Sequence, residues 1–152
     1  MANTYSKLYV HVVFTVKGRM NLIPIQHKDE LFKFMTGIVQ NNGQKLLCIN
    51  GMPDHVHILL GIKPEVSVST LVKEIKANSS RFINENKWIA GKFEWQTGFG
   101  AFSYSESQVD KVYKYIKNQD IHHRTKSFKE EYIEILQKFK IEYKDEYLFE
   151  FL

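Results

Sequence analysis

His55, Val56 and His57 open the run HVHILL. In an extended chain successive side chains point to opposite faces, so residues two apart share a face. His55, His57 and Leu59 then look one way, while Val56, Ile58 and Leu60 form an apolar set fit for a core. Two imidazoles side by side stand where both can hold one metal ion. Divalent metals bind neutral imidazole nitrogen, and two such ligands leave room for a third protein ligand and a substrate oxygen. The competing reading is structural, with one imidazole hydrogen-bonded and the other in solvent.

A second constellation lies in KVYKYIKNQ. At about 100° per residue, Val109, Val112, Tyr113 and Ile116 fall within one apolar arc, which assigns Tyr113 to the core. Tyr115 lies off that arc, with Gln119 one turn further along the same face. A phenol and a carboxamide oxygen beside the polar Lys111 are wasteful as packing. An exposed tyrosine on a polar helix face is the plain alternative.

These groups need elements to hold them. YSKLYVHVVFTV is β-branched and aromatic and reads as a strand ending at Lys17-Gly18-Arg19. HKDELFKFMTGIVQNNG carries Leu31, Phe34, Met35, Ile38 and Val39 at helical spacing, with a stop at Asn41-Asn42-Gly43. QKLLCING and HVHILLGI flank Met52-Pro53-Asp54, a hairpin signal. SVSTLVKEIKANSSRFINEN reads as a helix with Ser67 or Ser69 as N-cap, and GAFSYS as a short strand. SESQVDKVYKYIKNQ and SFKEEYIEILQKF read as two more helices, and IEYKDEYLFEFL as an irregular tail. The order β-α-β-β-α-β predicts an α+β fold, a ferredoxin-like split βαβ antiparallel sheet with appended C-terminal helices. Nothing in the pattern marks a linker or repeat. One domain is expected over residues 1–152, with a core to about 122 and a helical extension over 123–152.

The chain has 152 residues and a formal charge of +4, which allows an anionic partner without demanding one. The lone Cys48, inside KLLCIN, reads as a small core residue and excludes a disulfide scaffold. No leading apolar segment resembles a signal peptide, and no run approaches the ~20 apolar residues of a membrane span. A cytoplasmic protein with no membrane partner is expected. His11 alternates with Val10 and Val12 as a structural histidine. His122 and His123 follow Gln119, either to extend a metal shell or contact phosphate or, on the plainer reading, as helix-end caps, since imidazoles favour helix C-termini.

MPDHVHILL followed by YIKNQ resembles the single-tyrosine HUH transposases, small insertion-sequence enzymes and their REP-associated relatives. LVKEIKANSSRFIN and FTVKGR are also similar to the family's second helix and to the end of its first strand. The likeness runs from the first strand through the third helix. It implies that Tyr115 attacks a phosphodiester in single-stranded DNA, leaving a 5′-phosphotyrosine and a free 3′-hydroxyl. It implies that His55 and His57 hold a divalent metal, Mg²⁺ or Mn²⁺, with Gln119 as third ligand. The chemistry is coherent. A phenol with a pKa near ~10 needs help at neutral pH, and a cation on the non-bridging oxygens neutralises developing charge. The covalent link conserves the phosphoester, so rejoining needs no ATP. Mg²⁺ prefers oxygen ligands and imidazoles suit Mn²⁺ better, which leaves the metal open.

The resemblance further implies a DNA-hairpin substrate and a homodimer, in which the tyrosine helix is able to serve its partner's histidines. Candidate DNA contacts are Arg19, Lys73, Lys76, Ser80 and Arg81. Lys73, Lys76 and Ser80 recur at helical spacing, as a phosphate-facing stripe or a solvated helix face. Trp95, Phe99 and Phe102 are either base-stacking or core aromatics. The long apolar KLYVHVVFTV, if left as an edge strand, would need a partner chain. A domesticated hairpin-binding module is the alternative function. A metal phosphoesterase with a water nucleophile is disfavoured, because no dense carboxylate cluster neighbours the histidines in the sequence.

Overall fold

The computed structural model describes residues 4–123, 125–144 and 148; the side chains of Arg19 and His122 lie outside the described set. Strand β1 (Leu8–Thr15) is followed by helix α1 (Lys28–Asn41), strands β2 (Lys45–Met52) and β3 (His55–Ile62), helix α2 (Val68–Glu85) and strand β4 (Gly100–Tyr104). The strands form one sheet in the order β2-β3-β1-β4, with every neighbouring pair antiparallel. This is the expected ferredoxin-like α+β arrangement. Three helices follow, α3 (Val109–Lys117), α4 (Gln119–His122) and α5 (Phe128–Lys138).

Strand β1 is not an edge. It lies between β3 and β4, and from Val10 to Thr15 every residue is buried. That explains its nearly unbroken apolar run, because a strand covered on both faces has no polar side to show.

One face of the sheet carries Val10, Val12 and Phe14 of β1 with Val56, Ile58 and Leu60 of β3. They pack under Leu31, Met35 and Val39 of α1 and Leu71, Val72 and Ile75 of α2. Ser67 caps α2, its side chain accepting from the Thr70 amide at 3.1 Å. The turn between β2 and β3 is tight. A Cβ on Gly51 would stand 2.2 Å from the carbonyl oxygen of His55, so only glycine lets β2 approach the start of β3 this closely.

The opposite face carries His11, His55 and His57, and α3 and α5 cover it. Val112 and Ile116 of α3 pack on Cys48 and Leu59. Phe128, Tyr132, Ile135 and Leu136 of α5 pack on Val13 and Phe102. The expected assignment of Tyr113 to the core is corrected, since its side chain is 40% exposed while Tyr115 is half-buried. The inward face runs through Val112, Tyr115 and Ile116, at i, i+3 and i+4. The third helix also breaks at Asn118 (φ −99°, ψ 27°), so Gln119 opens α4 instead of extending the helix of Tyr115.

Candidate active site

His55 and His57 point from the start of β3 into the layer between the sheet and α5, and both are buried, at 1% and 0% exposure. Each has its Nδ1 engaged from behind. His55 Nδ1 donates to Asp54 Oδ1 at 2.7 Å, which leaves a lone pair on Nε2. His57 Nδ1 lies 2.8 Å from Nε2 of His11 on the neighbouring strand. Burial lowers the pKa of His55, against the pull of Asp54, and lowers that of His11 well below the ordinary imidazole value.

In front of both Nε2 atoms stands Glu131 from α5, itself 3% exposed. Its Oε1 lies 3.1 Å from His57 Nε2, 3.3 Å from His123 Nε2 and 4.0 Å from His55 Nε2. Its Oε2 accepts from the Tyr115 hydroxyl and, at 3.3 Å, from the Gln119 amide. Burial works against the charge of Glu131, but the bonds from His123, His57 and Tyr115 hold its carboxyl well below the usual range. Burial first, then the neighbouring Glu131 charge, push the Tyr115 phenol above its ordinary value.

The donor set fits a divalent cation. One coordinating atom each from His55, His57 and Glu131 can be chosen with all three within 4.8 Å of one another. His55 Nε2, with its lone pair, also faces Gln119 Oε1 at 3.4 Å. Acceptors turned towards one another, with no proton to share, are an arrangement that a cation relieves. Tyr115 stands at the rim of this group, with its ring centroid 6.1 Å from that of His57.

The candidate DNA contacts gather elsewhere. A groove of about 1120 Å³ is lined by Lys73, Lys76, Ser80 and Arg81 of α2, and by Lys17, Lys92 and the 93–99 segment. Lys76 is not a free phosphate contact. Its ammonium is half-buried, donates to the carbonyls of Gln96, at 2.8 Å, and Gly98, and is pushed by burial to a pKa of about 8. Trp95 and Phe102 are buried core residues, and Trp95 donates to Ser79 Oγ at 2.9 Å. The groove reaches the same corner of the sheet as the histidines. Val16 bridges to Trp95, Gln96 donates to the carbonyl of Thr15, and Thr15 is the cross-strand partner of His55.

The profile of a family described as "Transposase IS200 like" matches residues 4–119. The chain belongs to this family. Over 120 residues it is 28% identical to the ISDra2 transposase TnpA of Deinococcus radiodurans, covering 74% of this chain and 84% of that protein. A crystal structure of a candidate transposase from Deinococcus radiodurans R1 superposes with a TM-score of 0.62 at 27% identity, over 78% of this chain and 95% of that one. A REP-associated tyrosine transposase bound to a REP hairpin superposes with a TM-score of 0.62 at 13% identity, over 81% and 73% of the two chains. That last likeness is one of fold.

In this member of the IS200-like family the structure brings together Tyr115, His55, His57 and Gln119, the residues that the resemblance singled out. It adds Glu131, His123 and Asp54, and the first two of these lie beyond the family match. His123 is no mere helix cap; its ring lies 4.8 Å from that of His55. The overlooked signal was in α5 itself. Phe128, Glu131, Tyr132 and Ile135 stand at i, i+3, i+4 and i+7, so an acid occupies the apolar stripe.

Proposed function

We propose that this transposase cuts and rejoins single-stranded DNA through Tyr115, forming a 5′-phosphotyrosine and a free 3′-hydroxyl. The observation that carries the reading is the Tyr115 hydroxyl bonded to a carboxylate that also meets His57 and His123. An otherwise inert phenol has no packing reason to sit there. His55 and His57 would hold a divalent cation, Mg²⁺ or Mn²⁺, with Glu131 and Gln119 as oxygen ligands. When bound, the cation neutralises charge on the phosphate oxygens. The chain's own part is to hold both Nε2 atoms inward, to fix the phenol at the rim and to exclude water with α5.

Lys73, Ser80 and Arg81 would contact the DNA backbone from the groove, with Lys17 and Lys92 beside them and Arg19 as a further candidate. Lys76 would shape the groove by tying α2 to the loop at Gly98. A hairpin substrate is supported by the likeness to a transposase bound to one. We further propose that residues 1–152 act as one domain, in the cytoplasm, as a homodimer. Among the described residues no helix is long and apolar enough to cross a membrane.

The test is a covalent adduct. Wild type and Mn²⁺ are incubated with 3′-labelled single-stranded oligonucleotides that carry a hairpin and randomised flanks. A protein–DNA band should appear, vanish with chelator and be absent in Tyr115→Phe, while the exposed Tyr113→Phe keeps it. His55→Ala and His57→Ala should lose the band yet still shift the hairpin in a gel, because phosphate contacts dominate affinity. An adduct that persists in Tyr115→Phe rejects the assignment. Hairpin binding with no adduct in wild type would favour the domesticated binding module.

A further inference from the structure

The two oxygens of Glu131 face different groups. Oε1 looks towards the histidines, 3.1 Å from His57 Nε2 and 3.3 Å from His123 Nε2. Oε2 looks towards the nucleophile and accepts the hydroxyl proton of Tyr115 in a hydrogen bond. The Gln119 amide donates to the same Oε2 at 3.3 Å and so fixes the carboxylate plane. Of the imidazoles beside Tyr115, His57 presents the nitrogen that the cation would occupy, and His11 has its Nε2 turned to His57.

We propose that Glu131 is the general base of strand cleavage. This rests on the reading of Tyr115 as nucleophile. Its Oε2 takes the phenolic proton as the Tyr115 Oη–P bond forms and the P–O3′ bond breaks. The departing 3′-oxygen takes a proton from water and leaves as the 3′-hydroxyl. On rejoining, the 3′-hydroxyl gives its proton back to solvent as it attacks phosphorus, the Oη–P bond breaks, and Glu131 returns its proton to Tyr115. Oε1 would be left to the cation, so that one carboxylate would serve the metal and the nucleophile from opposite edges.

The separation of the two edges makes the roles separable by experiment. Glu131→Gln keeps the size of the side chain, accepts hydrogen bonds on one edge only and takes no proton. Its rate of adduct formation with the same 3′-labelled oligonucleotides and Mn²⁺ should fall by about 10²–10⁴-fold, with hairpin binding and melting temperature near wild type. Replacing Tyr115 by a fluorinated tyrosine of lower phenol pKa should then restore at least about tenfold in Glu131→Gln, and change the wild-type background little. A residue that only held α5 in place, or only bound the cation, would show no such selective rescue. Glu131→Asp, which keeps the charge and withdraws it by one methylene, should fall between the two and serves if Glu131→Gln does not fold. Independently of activity, the metal-free protein should show a downfield hydroxyl proton resonance that is absent in Tyr115→Phe and moves upfield in Glu131→Gln. Wild-type rates in Glu131→Gln, equal fluorotyrosine effects in both backgrounds, or an unmoved resonance would each overturn the proposal. Absence of any Tyr115-dependent adduct in wild type would instead reject the nucleophile itself.

Discussion

Two imidazoles serve one cation only if each turns a nitrogen with a free lone pair inward. In this site that orientation is set from behind, by Asp54 for His55 at 2.7 Å and by His11 for His57 at 2.8 Å. The arrangement carries a cost, since among the described residues His11 Nδ1, and further along β1 Thr15 Oγ1, are buried without a hydrogen-bond partner. Asp54→Ala and His11→Ala should therefore each weaken Mn²⁺ binding by about 10–100-fold, measured by calorimetry, and leave hairpin affinity unchanged. Undiminished Mn²⁺ affinity in both would remove the second layer from the argument. At this scale the sequence was partly legible. The pair His55/His57 shows because strand alternation is strictly two-residue, so the shared face follows from spacing alone. Tyr113 misled, because Tyr113 and Tyr115 flank the true apolar arc, and only the direction in which α3 meets the sheet decides between them. Glu131 lies 74 residues from His57 and reaches it only through tertiary docking, which no local pattern encodes.

Helix α5 is the element that completes the site, and its docking depends on a small residue in another element. Phe128, Tyr132, Ile135 and Leu136 each contribute about 1.5–3 kcal/mol on full burial, which an isolated helix of 11 residues needs to persist. Gly100 makes room for them. A Cβ there would stand 2.6 Å from the Tyr132 hydroxyl and 3.0 Å from the Phe102 ring. Gly100→Ala should destabilise the protein by about 1–3 kcal/mol and slow adduct formation by lifting Glu131 off the histidines. Adding Tyr132→Phe removes the atom in closest conflict and should recover part of the loss. Denaturant melts of the two single variants and the double variant would show this as non-additivity; strictly additive effects would contradict it. The sheet and its helices were legible from periodicity and turn residues. The break at Asn118 was not, because nothing in YIKNQDIHH stops a helix by composition.

Across the whole molecule, the sheet separates two surfaces that meet at one corner. Helix α2 lies on one face and lines the groove, while α3 and α5 lie on the other and enclose the histidines. The sheet edges available to a second chain are β2 and β4, not the interior β1. We expect a dimer joined there to keep each Tyr115 with the histidines of its own chain. Sedimentation should give a dimer, and subunit exchange between Tyr115→Phe and a His55→Ala/His57→Ala double variant should restore no cleavage. Recovered cleavage would mean that active sites are shared between chains. The partition by the sheet also has a genetic consequence. A tyrosine codon becomes a phenylalanine codon by one base change, and at Tyr115 that change leaves every residue of the groove untouched. On the proposed function, such an allele still occupies its hairpins and, in a cell that also carries an intact copy, shields them from cutting. A mobile enzyme built this way lies a single point mutation from its own heritable repressor.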